Sequence, residues 1–298
     1  MRREPRDVIG KAWDLKIGSL KQGGRDGTLV VLSDDLSRAI PVPQIAFTLQ
    51  SALDDWERCA DGLERVSETL LADPAAGVAI EPAGMHSPLP RAYQWCDGSV
   101  YLNHLERLRK ARGAELPPNL YHDPVMYQGG SDSFVGPRDP ILLADEDWGI
   151  DLEAEIVVVT DDVPMGISEN AAERHIKLIM LANDVSLRNL LPGEAAKGLG
   201  LIHSKPATAF TPVAATPDSF GAAWSGCRLS CQVQSAINGV ALGRPNAAVD
   251  SYFNFAQLIA YAAHTRELEA GTIIGAGTVS NRDVSTGVSC LAERRAME

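Results

Sequence analysis

The stretch Asp151-Leu152-Glu153-Ala154-Glu155-Ile156-Val157-Val158-Val159-Thr160 limits the fold of this chain more than any other. The β-branched run after Glu155 favours an extended strand, because side chains forked at Cβ pack well on a pleated surface and lose rotamers in a helix. On a strand, alternate residues share a face, so Asp151, Glu153 and Glu155 are expected to project together. Helical geometry would splay them apart. Three neighbouring carboxylates repel one another and drive some of their number to hold a proton unless a cation intervenes. Hard divalent cations such as Mg²⁺, Mn²⁺ and Ca²⁺ prefer these oxygens. The segment alone leaves two readings open, a solvated acidic edge strand or one wall of a metal site.

Composition narrows the surroundings. With 26 glycines and 18 prolines among 298 residues, the chain favours a turn-rich, β-heavy architecture over a helix bundle. A formal charge of -12 argues against nucleic acid as a partner, since phosphate contacts need clustered Lys and Arg. No apolar run is long enough to span a bilayer, and Met1-Arg2-Arg3-Glu4-Pro5-Arg6-Asp7 has no apolar segment behind it, so neither a membrane span nor a secretory leader is expected. Cys59, Cys96, Cys227, Cys231 and Cys290 contain only one close pair, which reads as reduced thiols and a cytoplasmic location.

Turn signals at Gly23-Gly24, Asp26-Gly27 and Ser33-Asp34-Asp35 separate three strands expected at 15–20, 28–32 and 38–42. Apolar residues at Leu49, Leu53, Trp56, Ala60, Leu63, Val66 and Leu70 make one stripe of a helix, with Gly62 the expected break. Residues 73–90 lack periodicity and read as the crossing between a small N-terminal domain, residues 1–85, and a larger one, residues 86–298. A short polar helix or a lid is expected over Asn103 to Lys110, an interruption at Pro117-Pro118, and at Gly129-Gly130 a tight turn or a close backbone approach to a ligand. Asn170 to Glu173 reads as a capping box opening a helix through about Lys177, followed by a strand from Leu178 to Arg188. Further strands are expected at 198–205 and 272–280, a hairpin at Asn238-Gly239 and a helix opened by Asn254.

Four pieces then fall into a recognisable order: Asp-x-Glu-x-Glu at 151–155, Asn-Asp-Val-Ser-x-Arg at 183–188, Ser-Lys at 204–205 and Gly-Thr-Val-Ser at 277–280. From Leu89 to Glu293 the chain resembles the catalytic domain of the fumarylacetoacetate hydrolase family. The resemblance implies a mainly β (α+β) fold, a mixed β-roll catalytic domain with a small N-terminal α/β domain, assembled as a homodimer. It implies cleavage or rearrangement of 1,3-dicarbonyl and acylpyruvate-like keto-acids on a divalent metal, with Mg²⁺ first and Mn²⁺ or Ca²⁺ as substitutes. Asp97, Glu153, Glu155 and Asp184 match the family's metal ligands, and Asp97 lies seven residues before His104 as in the longer members. His104 matches the histidine that activates water, a role an imidazole suits at neutral pH. Lys205 matches the lysine that stabilises an oxyanion or departing enolate, and Tyr127, Gln128, Arg188 and Thr278 match substrate contacts. A forked guanidinium at Arg188 suits a substrate carboxylate. His86, His122, His175, His203 and His264 match nothing and read as structural or exposed.

Several positions depart from the pattern. Short members place a glutamate three residues after the histidine, where this chain has Arg107; longer members take it from near the chain end, and Glu293 is the nearest match, displaced by one residue. Leu191 replaces a glutamine of the hydrolase-type motif, which implies a different or more apolar substrate. The chain ends at Glu298, where family members usually continue through a further strand, so uncovered strand edges are expected to need a partner subunit. Three functions follow from these observations: a metal-dependent C–C bond hydrolase; a decarboxylase, hydratase or tautomerase of a related keto-acid; and a catalytically inactive binding relative.

Overall fold

The computed structural model describes residues 14–116 and 118–298; the leader expectation for Met1–Asp7 and the interruption at Pro117 lie outside the described residues. The chain opens with an antiparallel meander of β1 (Lys16–Leu20), β2 (Thr28–Leu32) and β3 (Arg38–Pro41). A capping box between Thr48 and Ser51 starts α1 (Leu49–Leu53), and α2 (Trp56–Ala72) follows at once. The break therefore falls at Asp54-Asp55, and Gly62 stays helical inside α2. Short acids compete for backbone hydrogen bonds and favour helix ends over interiors, which outweighs one glycine within a well-packed stripe. That stripe buries Leu49, Leu53, Trp56, Leu63 and Leu70 against β-strand residues that include Ile17, Leu29 and Val31.

A short strand, β4 (Val78–Ala79), pairs with β3, and β5 (Trp95–Gly98), α3 (Leu102–Ala111) and β6 (Met126–Gly129) follow. The acidic segment divides between β7 (Ile150–Asp151) and β8 (Ala154–Thr160). After α4 (Glu169–Ala172) comes β9 (Ile176–Asn183), then β10 (Ser186–Leu187) and α5 (Leu191–Ala195). The helix expected through Lys177 is thus cut short. Residues from Ile176 onward instead form the ladder that ends at Thr160↔Ile176, so tertiary pairing overrides local helix preference. No strand forms over 198–205. Glu194 accepts the N–H groups of Ile202, His203 and Ser204 at 3.1, 2.8 and 2.9 Å, so one carboxylate satisfies what a ladder would have.

Short strands β11 (Ala209–Phe210), β12 (Ala214–Ala215), β13 (Trp224–Ser225) and β14 (Arg228–Leu229) lead to the expected hairpin, β15 (Ser235–Ile237) and β16 (Val240–Gly243). Asn254 and Gln257 form a capping box that opens α6 (Phe255–Ala262), and β17 (Ile273–Gly275) and α7 (Leu291–Met297) complete the chain. The main sheet runs β4-β3-β2-β1-β12-β9-β8-β17-β5-β6, with β11 also on β9. Its β17–β5 pair is parallel and its β8–β9 and β8–β17 pairs antiparallel, so the sheet is mixed, within an α+β architecture. Through Lys16↔Ala215 the N-terminal meander joins the same sheet.

Both faces of the central strands are covered. Val157, Val159, Leu178, Met180 and Trp95 pack in the core beneath α2, while Ile156, Val158, Ile179 and Cys96 pack with Leu258 and Ile259 of α6. This period of two fixes the site. Asp97, Glu155 and Asp184 carry the same parity as Trp95, Val157 and Ala182, so they continue one apolar face past its end. Among the described residues, no helix is long and apolar enough to cross a membrane.

Candidate active site

Asp97, Glu155 and Asp184 each offer a carboxylate oxygen, and these atoms lie within 4.8 Å of one another in a buried setting. Cross-strand pairing explains the convergence: Asp97 sits opposite Gly275, which sits opposite Val157, while Glu155 sits opposite Ala182. A Cβ on Gly275 would come within 2.3 Å of Asp97 Oδ1, so only glycine admits that carboxylate here. Gly277, at φ 84°, donates its N–H to the same oxygen at 3.1 Å and thereby ends the strand expected to run to Ser280.

The Glu155 carboxylate is fully buried and neither of its oxygens receives a hydrogen bond from an N–H or hydroxyl donor. Burial, and then the negative charge of Asp97 and Asp184, push Glu155 well above the usual carboxylate range; burial and Asp184 do the same to Asp97. Such an orphaned carboxylate among acids is what a cation relieves. The all-oxygen donor set fits a hard divalent ion, with Asp97, Glu155 and Asp184 as the residues able to hold it.

Glu153 stands beside this group, but both its oxygens are engaged: Arg188 Nη2 donates to one at 2.7 Å and Lys205 Nζ to the other at 2.6 Å. Burial opposes ionisation of Glu153, and Lys205 and Arg188 overcome it and hold the group well below its usual value. Lys205 also donates to Asp184 Oδ2 at 2.5 Å; burial works against its charge, and Asp184 and Glu153 more than restore it. Tyr127 donates its hydroxyl to Asp184 Oδ2 at 2.6 Å and Thr208 donates to Oδ1 at 3.0 Å. Asp151 shares the Arg188 guanidinium with Glu153 but does not join Glu155 in the cluster with Asp97 and Asp184. The chain leaves β7 before it enters β8, and Asp151 turns instead to the first turn of α7 and to Arg188.

On the other wall, His104 Nδ1 lies 3.1 Å from Glu293 Oε2. Helix α3 supplies the imidazole and α7 the carboxylate. Ser280 donates to Glu293 Oε1 at 2.6 Å, Arg107 Nη1 binds the same oxygen, and Asn103 donates to Ser280 at 2.7 Å. Despite burial, these donors hold Glu293 below the usual carboxylate range. Arg107, one turn after His104 at the position where the short members carry a glutamate, thus secures a carboxylate that arrives from elsewhere.

Asp97, His104, Glu153, Lys205, Tyr127, Arg188 and Thr278 line one cleft of about 420 Å³ whose remaining walls include Leu105, Leu108, Val125, Leu191 and Leu201. Two expected substrate contacts are placed differently. Gln128 pairs with Cys96, one step out of phase with Asp97↔Tyr127, and accepts from Gln94 at 3.3 Å away from the acids. Arg188 is present but spends its guanidinium on Asp151 and Glu153. Sequence reasoning missed Thr208, Asn103 and Cys290; Cys290, whose Sγ accepts the Glu293 N–H at 3.3 Å, carried no motif signal. Of the unmatched histidines, His175 bonds Asp161 at 2.7 Å away from the cleft.

The family model described as fumarylacetoacetate (FAA) hydrolase C-terminal matches residues 94–297, and that described as fumarylacetoacetase N-terminal domain 2 matches residues 15–91. The mitochondrial oxaloacetate tautomerase of Xenopus laevis is 30% identical over 94 residues, 32% of this chain and 27% of that protein. The 2,4-didehydro-3-deoxy-L-rhamnonate hydrolase of Sphingomonas sp. (strain SKA58) is 28% identical over 159 residues, 52% of this chain and 53% of that protein. The chain therefore matches about half the length of one curated relative and about a quarter of the other. A crystal structure of maleylpyruvate hydrolase from Sphingobium sp. SYK-6 shares the fold, with a TM-score of 0.64 at 15% identity over 89% of this chain and 90% of that one.

Proposed function

The chain belongs to the fumarylacetoacetate hydrolase family, and from that premise we propose that it hydrolyses a C–C bond in a 1,3-dicarbonyl or acylpyruvate-type keto-acid. The observation that carries this reading is the pairing, across one cleft, of a carboxylate-supported histidine with a buried acid cluster whose Glu155 carboxylate receives no hydrogen bond from an N–H or hydroxyl donor. Bound at Asp97, Glu155 and Asp184, a divalent cation, Mg²⁺ by the hardness of its donors, would supply Lewis-acid polarisation of a chelating dicarbonyl.

The chain's own groups do the rest. With Nδ1 held by Glu293, His104 keeps Nε2 to accept a proton from water in the cleft, and Glu293 stabilises the imidazolium that results. The hydroxide so formed adds to the carbonyl carbon, the C–C bond at that carbon breaks with its electron pair passing to the enolate, and the imidazolium returns its proton to the enolate carbon. The Lys205 ammonium, fixed between Glu153 and Asp184, faces the negative charge that develops on the departing enolate. Tyr127, donating to Asp184, fixes the acid cluster from the β6 side. Leu105, Leu108 and Leu191 exclude bulk water and accept an apolar acyl chain, which agrees with the loss of a polar contact at 191.

Incubation of purified protein and Mg²⁺ with a panel of acylpyruvates tests the proposal, since hydrolysis releases two carboxylic acids per turnover. A second reading, keto–enol tautomerisation, draws support from the match to the oxaloacetate tautomerase. Enol decay of oxaloacetate without cleavage of any acylpyruvate would favour it and defeat the hydrolase.

A further inference from the structure

Asp151 is the first acid of the Asp-x-Glu-x-Glu segment, and the chemistry above leaves it without a task. It is only 4% exposed. Its Oδ1 accepts the N–H of Leu291 at 2.7 Å, and its Oδ2 accepts the N–H of Ala292 at 2.9 Å and the Arg188 Nε–H at 2.8 Å. The first N–H groups of a helix have no partner within it and must be satisfied from outside. In α7 the next one, that of Glu293, goes to Cys290 Sγ at 3.3 Å, a weak acceptor in a place where an oxygen usually serves. A side chain 140 residues away in the sequence therefore supplies both oxygen acceptors for the turn that carries Glu293.

The same carboxylate reaches the opposite wall. Arg188 spans Asp151 and Glu153, and Glu153 holds Lys205. The contacts thus run without a gap from Lys205 through Glu153, Arg188 and Asp151 to the N-terminus of α7, and on through Glu293 to His104. We infer that Asp151 is a positioning residue: it sets the register of α7, and with it the Glu293–His104 pair, relative to the lysine and acid wall of the cleft. The inference rests on reading His104 and Glu293 as the proton-accepting pair. It assigns no contact with substrate to Asp151. A carboxylate is required because three donors on two sides must be accepted at once, which an amide with one acceptor oxygen cannot do.

Asp151→Ala and Asp151→Asn, beside Glu293→Gln, test this by two readouts. In steady-state kinetics Asp151→Ala should lose about 30-fold in kcat with KM within threefold, and Asp151→Asn somewhat less, as small displacements of a reacting group cost rate rather than binding. In ¹H–¹⁵N spectra of His104, the Nδ1 proton signal held by Glu293 should be lost in Asp151→Ala and weakened in Asp151→Asn. Retention of that signal and of kcat within threefold in both variants would overturn the proposal, as would a loss expressed in KM alone. If Asp151→Ala does not fold, Asp151→Asn alone decides between the same outcomes. Should the wild type turn over no acylpyruvate, the functional reading fails, while the nuclear signal still reports whether Asp151 holds the pair.

Discussion

Two buried acids each back a residue that lines the cleft, Glu293 through His104 and Glu155 beside Asp97, and they differ in how completely the protein satisfies them. Glu293 has each oxygen occupied, one by His104 and the other by Ser280 and Arg107. Glu155 has none. Burying an ionisable group without partners costs several times what a satisfied one costs, so a chain that leaves one carboxylate bare and dresses its neighbour is not short of donors. The comparison teaches that the base wall is finished by protein alone, and that the acid wall, even with Lys205 in it, leaves at Glu155 a carboxylate that a cation could satisfy. Removing metal is the most severe test of this contrast. Dialysis against a chelator should take hydrolysis of an acylpyruvate to the background rate, and Mg²⁺ or Mn²⁺ should restore it. Unchanged turnover in excess chelator would mean that the acid cluster needs no cation.

The finished wall is tested by removing the charge that finishes it. Glu293→Gln keeps the shape but loses the support for a protonated His104, and kcat should fall by about 10²–10³-fold with KM little changed. A rate within threefold of wild type would take Glu293 out of the chemistry. This residue also shows how far the sequence could be read. Glu155 of β8 and the Asn-Asp step that closes β9 were legible because a period of two and a fixed spacing tie them to one sheet face. Glu293 was legible only as an ungapped near-match, because its partner lies 189 residues away and no local spacing links them. Gln128 shows the opposite failure: adjacent to Tyr127 in sequence, it is turned to the other face by the same alternation. The strand expected at 198–205 failed because Glu194 satisfies that backbone from the side, a contact that no periodicity records.

The bare wall can be sharpened by making it apolar. Glu155→Met retains volume while deleting the orphaned carboxylate, so the metal-free protein should gain about 1–3 kcal/mol in denaturant unfolding. Its melting temperature should no longer respond to Mg²⁺. A variant less stable than wild type in chelator, or one still stabilised by Mg²⁺, would show that Glu155 is held by something other than a missing cation.

The smallest effect is a slope. Asp97 and Glu155 bind protons more tightly folded than unfolded, where they titrate near 3.8 and 4.5. Above those values the unfolded chain has released its protons while the folded chain keeps them, so the contribution of this pair to metal-free stability falls as pH rises, by at most about 1.4 kcal/mol per pH unit for each group. Glu153 has the opposite shift, and its contribution is lost only as pH falls below about 4.5, outside a window of roughly pH 5 to 8. Lys205 is raised from 10.5, so its contribution is lost only at higher pH still. Within that window the acid cluster alone should set the sign of the difference between two melting curves. Because a cation competes with those same protons, the stabilisation conferred by Mg²⁺ should widen steadily from pH 5 to pH 8. Thermal melts at four pH values, with and without Mg²⁺, measure that widening, and an increment that stayed constant would mean that the cation binds away from Asp97 and Glu155.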